Sequence, residues 1–133
     1  MVNVFGIKKK ERNIMKPYIT WNVDGKEFHL RLTTLGVINL EEKLGKNPAD
    51  IFLALSDGQL PRVKEIVQVL HQSLQPLHNG YSIEKSASLL DSYFAEDKSI
   101  YDFVTGPMME LFKNCGLLGR PDEEAEEEEE PKN

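Results

Sequence analysis

The sequence predicts an α+β domain that is mainly helical, with an N-terminal antiparallel β-hairpin packed on a bundle of about five short helices. Three observations predict it. Apolar residues alternate at period two around an Asp-Gly pair near the start of the chain. From Thr33 onward they recur instead at three- and four-residue spacing. Between those stretches stand glycines, prolines and Ser/Thr/Asn residues at positions suited to cap and end helices.

The hairpin is the sharpest local signal. Ile19, Trp21 and Val23 alternate with Thr20 and Asn22, and Phe28, Leu30 and Leu32 alternate with Glu27, His29 and Arg31. Asp24-Gly25 between them tolerates the positive φ angles of a two-residue turn. A lone hairpin is marginal in water, so its apolar face requires a cover, and the remaining chain offers only helices.

Thr33 or Thr34 can cap the first helix, whose apolar residues are Leu35, Val37, Ile38, Leu40 and Leu44 and whose end is Gly45. Asn47-Pro48 pairs an N-cap with a proline at the first helical position, Asp50 sits in the positive first turn, and Ile51, Phe52 and Leu55 face inward until Gly58. Pro61 opens a third helix with Val63, Ile66, Val67, Leu70, Leu74 and Leu77 in one stripe. After Asn79-Gly80, Ser82 can cap a fourth, carrying Ile83, Ala87, Leu90 and Phe94. Ser99 and Asp102 have the spacing of a capping box ahead of Ile100, Phe103, Val104, Met108, Leu111, Phe112 and Cys115. Gly106-Pro107 within that helix predicts a kink or two short helices.

Charge divides the chain into three parts. Residues 122–133 hold eight acids and one base, a net charge of −7, and lack any apolar group larger than Ala125, so a disordered acidic tail is expected. Residues 1–15 net +3 through Lys8, Lys9, Lys10 and Arg12 against Glu11, and read as a flexible basic arm. The body between them, 16–121, nets −2 and is expected to be the single globular domain. No apolar run approaches the roughly 18 residues of a membrane span, and no apolar core follows the lysines as in a secretory signal. A cytoplasmic protein with no membrane partner is the expectation.

Chemistry is thinly supplied. The single cysteine, Cys115, rules out an internal disulfide and a multi-cysteine metal site. His29 falls on the outer face of a strand, and His71 and His78 are seven residues apart without flanking acids at ligand spacing. No nucleophile elbow and no Gly-rich phosphate loop occurs. Asp91, Glu96, Asp97 and Asp102 read as a solvated face with a cap. Four bases without interleaved aromatics do not make a nucleic-acid site. A non-enzymatic protein without metal, catalytic residue or cofactor is expected, acting by binding another protein. The partner-contacting candidates are Trp21, Met109 and Phe112, an aromatic and methionine set suited to an interface, and Glu126, Glu127 and Glu128 of the tail.

The hairpin Tyr18-Ile-Thr-Trp-Asn-Val-Asp-Gly-Lys-Glu-Phe-His-Leu-Arg-Leu-Thr-Thr34, followed by Leu40-Glu-Glu-Lys-Leu-Gly-Lys-Asn-Pro48 and Asp50-Ile51, resembles the tail assembly chaperones of long-tailed bacteriophages, prophages and gene transfer agents. The likeness covers residues 18–118, and its motifs carry order, not chemistry. It implies binding to the tape measure protein, a long, largely helical chain kept soluble while tail tube subunits polymerise around it. It further implies recruitment of the tail tube protein and absence from the finished virion; a weak homo-oligomer is a separate expectation. Many such proteins have a longer frameshifted product. Pro131-Lys132-Asn133 can be encoded by a run on which such slippage occurs, and the chain would then be the short product. Residues 1–15 exceed the usual start in that family, and Met15 could itself begin a chain. Two readings stand beside this one. One is an adaptor or inhibitor whose acidic tail contacts a basic partner, and the other is a small enzyme with an unfamiliar site.

Overall fold

The computed structural model describes residues 16–119. The arm before it and the acidic tail after it lie outside the described residues.

Strands β1 (Ile19–Val23) and β2 (Lys26–Leu30) form the expected antiparallel hairpin, with Trp21 opposite Phe28 and Val23 opposite Lys26. Asp24 and Gly25 take φ angles of 56° and 70°, the paired left-handed values of a type I′ turn. Ile19, Trp21, Val23, Phe28, Leu30 and Leu32 are all buried, so the alternation places one whole face in the core.

Helix α1 (Thr34–Leu44) starts at Thr33, whose hydroxyl accepts the Gly36 N–H at 3.0 Å, and ends at Gly45 with φ 71°. Its stripe is narrower than the sequence suggests. Leu40 is buried and Val37 and Leu44 pack on the core, but Leu35 is 66% exposed and Ile38 48%. These two lie off the Gly36–Leu40 line that meets the neighbouring helix, because α1 is covered on one side only. Helix α2 (Asp50–Ser56) begins later than expected, after a turn in which the Asn47 carbonyl accepts the Asp50 N–H at 2.9 Å. Asn47 is therefore not the expected N-cap: its Oδ1 accepts the Ala49 N–H within that turn, and the helix has no side-chain cap.

Helix α3 (Val63–Leu74) likewise starts after Pro61, at an extended Arg62 whose N–H donates to the Glu65 carboxylate. It is the central element, packed against α1, β2 and the following helix. Val69 and Ser73 are therefore fully buried beside Ile66, Leu70 and Leu74. Val63 and Leu77, expected in the same stripe, are exposed at its two ends, where no neighbour reaches.

Helix α4 (Ile83–Ala95) is capped by Ser82, whose hydroxyl accepts the Lys85 N–H. It buries Ser86, Leu90 and Tyr93, while Ile83 is exposed at its first turn. Ser99 and Asp102 complete the capping box of α5 (Ile100–Phe103). A π-helical segment, Val104–Met108, then carries Gly106-Pro107 and leads into α6 (Met109–Asn114). The expected break thus takes the form of a widened turn. It keeps Phe103, Val104, Met108, Leu111 and Phe112 all in the core. Asn114 donates to the Lys16 carbonyl at 2.8 Å, joining the last helix to the start of the hairpin.

Among the described residues, no helix is long and apolar enough to cross a membrane.

Candidate functional site

Of the expected partner contacts, Trp21 and Phe112 cannot serve as surface anchors. Trp21 is 3% exposed and ringed by Phe28, Tyr93 and Phe103 at centroid distances of 5.5–6.1 Å. Phe112 is fully buried, edge-on to Phe52 at 5.1 Å. Trp21 stands on the hairpin's buried face and Phe112 on a helix that shares its core, so the same size that suggested an interface serves the core. Met109 is half-buried on the outer side of α6, while its neighbour Met108 is in the core. Glu126, Glu127 and Glu128 lie outside the described residues.

Two surface features remain. The first is apolar. Leu35 and Ile38 share the outer face of α1 one turn apart, Leu53 on α2 is 67% exposed, and Leu60 and Val63 stand exposed at the start of α3. The Lys46 Nζ–Glu65 Oε2 ion pair at 2.8 Å ties the end of α1 to the start of α3, while Gly36 at the start of α1 faces Gln72 near the end of α3, so the two helices run antiparallel and these groups are spread along the bundle. Burial raises the Glu65 carboxyl, but the Lys46 ammonium and the Arg62 N–H outweigh it and hold the carboxyl below its ordinary value.

The second is polar. A depression of about 590 Å³ beside the hairpin tip is lined by Trp21, Asn22, Tyr93, Asp97, Lys98, Asp102, Gly106 and Pro107. The tip is anchored there by the Asp24 N–H, which donates to Glu96 Oε2 at 2.7 Å. Asp97 ends α4 in the left-handed region at φ 67°, which an aspartate tolerates better than most residues. Burial raises the Tyr93 hydroxyl pKa, and the carboxylates of Asp102 and Glu96 raise it further, so the phenol stays protonated.

The histidines have local structural roles. His78 Nε2 accepts the outward-pointing N–H of His29 at 3.0 Å, covering that position on the free edge of β2. The His29 ring stacks on Tyr18 at 4.2 Å and meets the Glu27 carboxylate at 2.9 Å. Among the described residues no group of three His, Cys, Asp or Glu side chains is placed to hold a metal ion.

No protein-family model matches the chain, and neither a curated protein nor a solved structure matches it.

Proposed function

We propose that the protein is a tail assembly chaperone of a long-tailed bacteriophage: a binding protein, not an enzyme, that holds the tape measure protein soluble while tube subunits assemble around it. It acts in the host cytoplasm and leaves before the virion is complete. The observation that carries this reading is the set of large apolar side chains stranded on the outer faces of α1, α2 and the start of α3: Leu35, Ile38, Leu53, Leu60 and Val63. Single exposed leucines are ordinary, but five large apolar side chains without cover along these helices of so small a body leave groups whose water contact an apolar helical partner would relieve. A surface of this modest extent suits a partner that must later be released. The order of hairpin, capped helix and short bundle agrees with the family likeness of residues 18–118.

The test is co-expression of the full chain with fragments of a tape measure protein, reading soluble complex on size exclusion. Leu35→Glu with Leu53→Glu is expected to leave the melting temperature nearly unchanged, since exposed substitutions cost within about 0.5 kcal/mol, and to abolish complex formation. Leu70→Ala, at a fully buried position, is expected to cost about 2–5 kcal/mol instead. A double glutamate variant that folds and still solubilises every fragment removes the apolar surface from the mechanism.

A further inference from the structure

We infer that the depression beside the hairpin tip is a second docking site, one that takes an extended, lysine-rich segment of a partner protein as an added strand on β1. This inference is independent of the apolar surface and of the chaperone reading.

Three observations meet there. The first is an open strand edge. Val23 and Lys26 close the two-residue turn as a hydrogen-bonded pair, so the N–H and C=O groups of Thr20 and Asn22 point away from β2. On the other side of the hairpin two outward donors are taken, His29 N–H on β2 by His78 Nε2 and Arg31 N–H just after it by the Ser73 carbonyl. On β1 no described residue takes those of Thr20 or Asn22, whose side chains are also exposed. An edge left in this state is a template for another strand.

The second is an orphaned donor. Trp21 lines the depression, and its buried Nε1–H has no acceptor among the described residues. Such a group costs free energy unless an acceptor arrives. Phe28, Tyr93 and Phe103 pack around the indole, which also lines the depression, the route we assign to an incoming carbonyl.

The third is charge. Asp97 and Asp102 line the depression against Lys98, and Asp24 and Glu96 stand at its rim. None of these four acids forms an ion pair among the described residues. A strand added beside Asn22 would bring its side chains over them, and lysine is the complement. One extended basic peptide thus supplies backbone groups for the edge, a carbonyl for the indole and ammonium groups for the carboxylates. A small anion would meet the carboxylates and an apolar helix would leave the edge unpaired.

The chain has one tryptophan, so its emission reports on this site directly. The experiment titrates the full chain with a capped hexapeptide alternating lysine and valine, following Trp21 fluorescence and the amide NMR signals of Thr20 and Asn22. Saturable changes in both are expected, with none from a glutamate–valine peptide. Asp97→Asn should weaken binding about two- to fivefold at low salt, an effect that fades as salt rises. Trp21→Phe, followed by NMR, should weaken it about two- to tenfold while the fold persists. Shifts confined to residues 122–133 would mean that the acidic tail binds the peptide, and would overturn the proposal. Unchanged affinity in Trp21→Phe would mean that the indole N–H faces a ring and not a ligand, and would overturn its part. Binding only after Lys8, Lys9 and Lys10 are changed to Gln would assign the site to the chain's own arm and overturn a partner in trans.

Discussion

A single hydrogen bond decides how the free side of β2 is finished. The His29 N–H points outward because of the hairpin register, and His78 Nε2 is placed to accept it at 3.0 Å. Only a neutral imidazole can do so, since protonation turns that nitrogen into a donor. Burial between the Phe28 and Tyr81 rings lowers the His78 pKa first, and the neighbouring His29 lowers it further, below its ordinary 6.5. The group therefore stabilises the fold fully above the unfolded value. That contribution is lost as the pH falls below 6.5 toward the depressed folded value, because the unfolded chain takes up the proton first. His78→Gln keeps an acceptor without a titration. Thermal melts at about pH 7.5 and 5.5 should show a smaller acid loss in the variant than in the parent. Equal losses in both would place the acid sensitivity elsewhere. The bond spans 49 residues of sequence, and nothing in the sequence around His78 announces it.

At the scale of elements, most boundaries were written in the caps. Thr33, Ser82 and the Ser99–Asp102 box all act where local sequence puts them, because a side-chain oxygen meets an unpaired N–H two or three residues away without help from the rest of the fold. Ser82→Ala should accordingly cost about 1 kcal/mol, read as a fall of roughly 4–8 °C in melting temperature. A larger fall would show that the Ser82 hydroxyl supports the loop from Asn79 as well. Which apolar positions are buried was less legible, because burial depends on how many neighbours an element has. α3 has neighbours on several sides and buries Val69, which a one-stripe reading omits; α1 has one cover and strands Leu35 and Ile38. Gly106-Pro107 announced a break but not its geometry. Proline removes one helical donor, while the glycine before it has no side chain to clash with the ring, so the chain can widen through a π turn without losing its inward face. The tip depression was not legible at all, since residues between 21 and 107 meet there only through tertiary packing.

Across the whole molecule, the hairpin and the last helix share one core. Ile19, Trp21, Leu111 and Phe112 belong to the same buried cluster, and the Asn114–Lys16 bond joins the two ends of the described chain. Among the described residues, every buried apolar group of that cluster falls between Ile19 and Phe112. The tail from Asp122 carries charge: a net of −7 against −2 for the body. Its removal is expected to leave the fold in place, with a melting temperature changed by no more than the roughly 4–8 °C that 1 kcal/mol represents in a domain of this size. What should change is behaviour at high concentration, where a body near neutrality with leucines exposed loses the mutual repulsion that keeps copies apart. A chain ending at Pro121 should therefore melt like the parent yet self-associate more readily, as light scattering across a concentration series would read. It should also solubilise less of an apolar helical fragment at equal molar ratio. A fall of more than about 2 kcal/mol on deletion would mean that the acidic stretch packs on the body, and its role would then be structural, not electrostatic.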